Sequence, residues 1–253
     1  MISDYVPIVH TLDGRTIKLW AIADVHIGAR ECDLQGFSRF VDRVEADPDS
    51  YVVICGDLLN NGTRDSVTNV YEETMPPSAQ VDKAVEILQP IADRILGGVG
   101  GNHELRSSKA VDLDPLHTVF VRLGIQDRYR RDFAFLRIVL ADGNIHDHYA
   151  LMLVHGKSES KRRQFDYAIE GVDAIIGGHV HNGSIAKNAR LVLTHRNRVV
   201  VKPFVSLTAT SWLKYGGYAA QSLYKPTATS DPQYLELEFA NSNGRHGNMR
   251  VVW

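Results

Sequence analysis

Cysteine is nearly absent: Cys32 and Cys55 are the only two in 253 residues. Two thiols cannot build the disulfide framework of a small secreted domain, and Cys55 closes the apolar run YVVIC, where a buried free thiol is expected. The chain therefore reads as reduced, and a cytoplasmic location is expected. Long apolar runs are lacking too. Nowhere do about 18 apolar residues stand together, and the opening MISDYVPIVH has no basic start followed by an apolar stretch. Neither a membrane partner nor export is expected. An excess of positive charge is also missing. With 28 Lys and Arg against 30 Asp and Glu, the formal net charge is -2, which excludes a protein whose whole surface neutralises phosphates. Basic stretches remain locally in LRSSK (Leu105 to Lys109), KRR (Lys161 to Arg163) and HRNR (His195 to Arg198).

What is present is an ordinary globular mixture, 44% hydrophobic and 23% charged, with length enough for one large α/β domain over 1–253. No long linker or repeat divides it. Short β-rich runs recur as IKLWAIA (Ile17 to Ala23), YVVIC (Tyr51 to Cys55), FLRIVLA (Phe135 to Ala141), YALMLVH (Tyr149 to His155) and VDAIIGG (Val172 to Gly178). RLVLT, VVVKPFVSL and the cleanly alternating YLELEF follow. Helices are expected over Leu34 to Ala46, over Ser78 to Ile95 with Ser78 as cap and Pro90 as a break, and around Lys161 to Glu170. Strands alternating with helices early, then mostly strands, point to a layered α/β fold with mixed sheets.

The strand ends carry the chemistry. IKLWAIA is followed by Asp24 and His26, YVVIC by Gly56 and Asp57, and the LGGVG run by Asn102, His103 and Glu104; YALMLV ends in His155, and VDAIIGG leads into His179 and His181. Carboxyl ends of strands are where open α/β sheets place ligand sites. Each piece alone has a plain alternative. Asp-x-His and Gly-Asp are ordinary turn chemistry, and His155 alone reads as a satisfied half-buried histidine. His179 and His181 are expected to point the same way on an extended chain. His146 and His148, beside an apparent hairpin turn in DGNIHDHY, show the same spacing and read as merely exposed.

Together, DxH, GD, GNHE, H and GHxH in this order resemble the calcineurin-like metallophosphoesterases, over Asp24 to His181. The resemblance implies a four-layer αββα sandwich with two mixed sheets and a metal site at the strand ends. It implies two divalent ions, Asp24, His26, Asp57 and His181 holding one, and Asp57, Asn102, His155 and His179 the other, with Asp57 as bridge. Oxygen and imidazole ligands without thiolate suit Mn first, with Fe, Zn or Ni as alternatives. A hydroxide shared by two such ions would attack a phosphate ester. His103 would stay off the metals and assist the leaving oxygen, and Glu104 would orient that imidazole or its loop.

The departures narrow the activity. The protein-phosphatase branch carries GDxxDRG and an arginine before GNHE, whereas this chain has GDLLNNG, with Asn60 in place of the aspartate, and GGNHE. A phosphodiester substrate is therefore expected over a phosphoprotein, either a small molecule or nucleic acid. Arg30, Arg64, Arg106 and Lys157 lie near the motifs and are available to phosphate, while Lys214, Tyr215 and Tyr218 would favour a nuclease of DNA ends or single strands. The rival from another class is a non-catalytic scaffold on the same fold, which would have lost ligands or the histidine. Here all are present. The oligomeric state and the role of residues 187–253 are not legible.

Overall fold

The computed structural model describes residues 5–64, 66, 70–143, 145–158, 165–217, 220, 232–238 and 248–252. Lys161 to Arg163, Tyr218 and most of the loop Lys225 to Pro232 lie outside the described residues. Residues 165–168 are helical, within the helix expected around Lys161 to Glu170.

Strands β1 (Ile8–Asp13), β6 (Phe133–Asp142), β7 (Ile145–Val154), β8 (Ala174–Gly177), β10 (Val199–Thr208) and β9 (Ser184–Leu193) lie side by side in that order in one six-stranded mixed sheet. The second sheet has the order β12 (Met249–Val252), β11 (Tyr234–Glu238), β2 (Thr16–Ile22), β3 (Ser50–Cys55), β4 (Ile95–Val99) and β5 (Tyr129–Arg130). Pairing of β2, β3, β4 and β5 is parallel, so all four deliver their carboxyl ends to one edge. In the first sheet β7 and β8 are likewise parallel.

The inner faces meet in a core built from Ile17, Leu19, Val53, Leu96 and Val99 on one side and Leu136, Ile138, Leu151, Leu153 and Ile176 on the other. A fully buried Leu or Ile side chain is worth about 1.5–3 kcal/mol, so this layer registers the two sheets firmly against each other. The outer face of the second sheet carries α1 (Leu34–Ala46), α2 (Pro77–Leu88) and α4 (Pro115–Arg122), whose Phe37, Phe40, Val44, Ala84, Leu88 and Phe120 close a second core. The outer face of the first sheet packs Met152, Val154, Ile175 and Phe204 against Val172 and Ile169. The expected α/β architecture with two mixed sheets is thus present.

Local chemistry explains the helix limits. Asp33 caps α1 by accepting the Gly36 N–H at 3.2 Å. α2 instead begins at Pro77 with Pro76 before it and no side-chain cap, so Ser78 is a helical residue and not the expected cap. Proline at N1 leaves one fewer of the first-turn N–H groups without a partner and is already set at a helical φ. Pro90 divides this segment as expected: α2 ends at Leu88, and Gln89–Arg94 continues as a 3-10 turn with Ile91 outside helical geometry. A short helix absent from the sequence expectation, α3 (Glu104–Val111), starts inside the GNHE stretch. Its one buried residue is Glu104, so it has no apolar stripe to announce it.

Candidate metal centre

All nine side chains nominated at the strand ends gather at the edge where β2, β3, β4, β7 and β8 finish. The loops after these five strands bring them there. The loop after β2 is laced to the loop after β3: Asp24 N–H donates to the Gly56 carbonyl at 3.1 Å, His26 N–H to Asp57 at 3.0 Å and Ile27 N–H to Leu58 at 2.9 Å. Asp24, His26, Asp57, His179 and His181 all have left-handed φ, between 51° and 75°. This conformation is sparsely populated for residues with a Cβ and persists where the surroundings over-determine it. It also corrects the expectation for His179 and His181: with both left-handed, the chain there is not extended, and the two rings serve opposite halves of the cluster.

The two aspartates are held alike. Asp24 Oδ2 accepts the His179 N–H at 2.8 Å, and Asp57 Oδ1 accepts the His103 N–H at 2.8 Å. Each thereby turns its other oxygen inward. Asp24 Oδ1 lies 3.3 Å from His181 Nε2 and 3.9 Å from His26 Nε2. Asp57 Oδ2 lies 3.2 Å from His155 Nε2, 3.9 Å from His26 Nε2 and 3.8 Å from His103 Nε2. Asn102 Oδ1 completes the far side, 3.0 Å from His155 Nε2 and 2.8 Å from His179 Nδ1. Asp57 is the carboxylate that touches both halves.

Close packing at this edge depends on glycines, Gly101 and Gly56 among them. A Cβ at Gly101 would stand 2.1 Å from Asp57 Oδ1, and one at Gly56, whose φ is +82°, would stand 2.6 Å from His155 Nδ1. No side chain fits either place.

The cluster turns carboxylate oxygens and imidazole nitrogens toward one another, a donor set that fits divalent cations. Asp24 Oδ1 is fully buried and meets no donor in good hydrogen-bond geometry, His181 Nε2 being the nearest at 3.3 Å, an arrangement that costs about 1–3 kcal/mol when nothing compensates it. His26 Nε2 and His181 Nε2 face each other at 3.3 Å. Asp24, His26 and His181 form one group with ligand atoms close enough for a single ion; Asp57, His155 and His179 form another; His26, Asp57 and His103 form a third. His103 thus stands nearer to the carboxylates than a purely substrate-facing residue needs to. Its Nε2, however, is engaged at 3.0 Å by the Arg106 guanidinium.

Electrostatics divide the rings. Burial holds His26 down to about 3, with the neighbouring His103 adding to the effect. Burial also lowers His179 and His103. For His155 burial is outweighed by the Asp57 carboxylate, which raises the ring to about 10, and for His181 it is outweighed by Asp24. Both aspartates are held below the ordinary carboxylate range despite burial, Asp57 chiefly by His155 and Asp24 by His181. His155 Nδ1 lies 2.8 Å from the Cys55 carbonyl, which fixes a proton there and aims Nε2 at Asp57 and Asn102.

Glu104 does not reach the His103 ring. Its buried carboxylate accepts the N–H groups of Asp57 (3.0 Å), Leu59 (3.0 Å) and Gly101 (2.9 Å), tying the loops after β3 and β4 together. Burial and the Asp57 charge push it up to about 7, against the pull of the Leu59 and Gly101 N–H donors. His103 Nδ1 lies 2.8 Å from the Asn60 backbone carbonyl. Asn60 therefore contributes its main chain, where the sequence comparison concerned its side chain.

Several contributors escaped the sequence. Ser211 Oγ and Trp212 N–H both donate to the Asp24 carbonyl, at 2.9 and 3.1 Å, so the segment after β10 supports the site. Asn61 Nδ2 donates to the His103 carbonyl at 2.7 Å. Arg30, Arg64 and Lys157 are exposed, whereas Arg106 reaches the cluster. His146 and His148 are exposed on β7, as expected.

A family model described as calcineurin-like phosphoesterase matches residues 17–183. The chain belongs to the calcineurin-like phosphoesterase family. The family's activity is metal-dependent hydrolysis of phosphate esters, and the His and Asp groups above are those able to hold metal. A comparison with curated proteins gives no significant match. Among solved structures, the chain is similar to the calcineurin-like phosphoesterase YfkN from Bacillus subtilis, at 15% identity over 94% of this chain and 90% of that one, TM-score 0.46. It is similar to a metallophosphoesterase from Sphaerobacter thermophilus, at 12% identity over 94% and 88%, TM-score 0.39. Vps29 from Chaetomium thermophilum aligns at 11% identity over 93% and 96%, TM-score 0.39. No described helix of this phosphoesterase is long and apolar enough to cross a membrane.

Proposed function

We propose that this phosphoesterase is a dinuclear enzyme that hydrolyses phosphodiesters in preference to monoesters. The observation that carries the reading is Asp57 Oδ2, which lies within 3.9 Å of His26 on one side and 3.2 Å of His155 on the other. Asp24, His26, Asp57 and His181 hold one ion; Asp57, Asn102, His155 and His179 hold the second. The ligand set of oxygens and imidazoles favours Mn, with Fe, Zn or Ni as substitutes. Two divalent ions at such a site supply a water of lowered pKa and positive charge opposite the phosphoryl oxygens.

The chain's own residues do the rest. Asp57 joins the two ion sites, and Glu104 fixes Asp57 by its backbone. Asn102 is exposed and His179 and His181 are half-exposed, so the ester reaches the site from an open edge. Such an edge admits both small and polymeric diesters. His103, held by Asn60 through Nδ1, is the residue that assists departure of the leaving oxygen. Because both sheets contribute, the reading treats 1–253 as one domain.

The test compares initial rates of Mn-loaded protein on bis-p-nitrophenyl phosphate and p-nitrophenyl phosphate. A diester preference supports the reading. A monoester preference moves the assignment to a phosphomonoesterase, and no turnover of either by metal-loaded protein supports a non-catalytic scaffold.

A further inference from the structure

Arg106 follows His103 by three residues at the start of α3, a spacing that puts two side chains on neighbouring positions of a helix surface. Its Nη1 donates to the Asn60 carbonyl at 3.1 Å, and its Nη2 lies 3.0 Å from His103 Nε2. A guanidinium has five donors and no acceptor, so His103 Nε2 is the acceptor in this contact. The ring proton then sits on Nδ1 and is donated to the same Asn60 carbonyl, 2.8 Å away. His103 is held in one tautomer from both ends. The nitrogen that faces Asp57 Oδ2 at 3.8 Å is covered by a cation.

Two consequences follow. With Arg106 in place, Nε2 has no free direction toward a leaving oxygen. Both hydrogen-bond partners of Arg106 are neutral, a carbonyl and an imidazole; the Asp57, Glu73 and Glu104 carboxylates act on it through space without an ion-pair contact among the described residues, so its fork of donors can still take an anion, and the residue is partly exposed. A planar fork of donors matches the oxygens of a phosphoryl group.

We propose that Arg106 is the phosphate-binding group of this site: in the free protein it caps His103 Nε2, and on binding it exchanges that contact for a phosphoryl oxygen, uncovering Nε2. The proposal rests on the phosphoesterase reading above. It assigns to Arg106 a contact with substrate and a hold on His103, where the alternative is a brace for α3.

The test uses inorganic phosphate as the probe and combines binding, NMR and kinetics. Arg106→Ala should retain the wild-type metal content while weakening phosphate binding by about tenfold or more, measured calorimetrically, with a matching rise in KM for bis-p-nitrophenyl phosphate. Arg106→Lys, which keeps the charge without the fork, should fall between. In Zn-loaded wild-type protein, the His103 Nε2 resonance should shift as phosphate saturates the site and the guanidinium leaves. An unshifted resonance at saturation overturns the proposal, and this arm needs no variant to fold. Unchanged phosphate affinity and KM in Arg106→Ala also overturn it. If wild-type protein hydrolyses the diester in either case, only the Arg106 assignment falls; if wild-type protein holds no metal and turns over neither ester, the phosphoesterase reading falls first.

Discussion

The Glu104 carboxylate accepts the backbone N–H of Asp57 at 3.0 Å, so the residue after the histidine of GNHE holds the carboxylate that joins both halves of the cluster. The same oxygen also accepts the Gly101 N–H, and its twin accepts that of Leu59. Glu104 thus acts as a positioning residue, buried to 1% exposure and out of reach of solvent. Glu104→Gln keeps the shape but turns an NH2 group toward N–H donors. The expected outcome is a loss of about 1–3 kcal/mol in unfolding free energy for the unsatisfied donor, measured by urea denaturation of the metal-free protein. Metal affinity should weaken with it. An unchanged midpoint would show that the three N–H bonds do not bind the loops together.

The pH dependence of the metal-free protein follows from His155. Its folded pKa of about 10 lies above the ordinary 6.5, so the folded state keeps a proton that the unfolded chain releases between those values. Stability from this group is complete below pH 6.5 and lost as pH rises toward 10. Tm of chelator-treated protein should fall across that window, and His155→Gln should flatten the fall. A bound ion must displace this proton, so metal binding at pH 7.5 should release about one proton, measurable by calorimetry in buffers of different ionisation enthalpy. A fall of the same size in His155→Gln, or no proton release, would show that the Asp57 and His155 pair is not coupled as described.

His103 separates binding from chemistry. Its Nε2 is occupied by Arg106, so His103→Ala should keep both ions. It should lose turnover by about 10²–10⁴-fold, the usual contribution of a positioned acid or base. Metal analysis and kcat on the same preparation check this. Loss of an ion from His103→Ala would make His103 a ligand, in line with its place near His26 and Asp57.

Much of this site was legible because its chemistry sits at strand ends, where the local pattern changes abruptly from apolar to polar. The limits of α1, Leu34–Ala46, were legible for a similar reason, a clean amphipathic stripe over Phe37, Phe40, Val41 and Val44. What stayed hidden depends on contacts between distant parts of the chain. Ser211 and Trp212 reach Asp24 across 187 and 188 residues through one carbonyl, and nothing in their own neighbourhood marks it. The left-handed turns at His179 and His181 arise from the loops they join, so spacing alone gave the wrong relation between the rings. α3 was missed because it buries little besides Glu104, yet its helical i, i+3 spacing is what brings Arg106 onto His103.

The central claim is that one carboxylate serves two ions. Its most direct test is the metal stoichiometry of wild-type protein and Asp57→Asn after reconstitution with Mn and removal of excess ion. The account predicts about two ions per wild-type chain and loss at both sites in Asp57→Asn, because both half-sites share that carboxylate. Two ions retained by Asp57→Asn, or a wild-type chain that holds fewer than two, would contradict it.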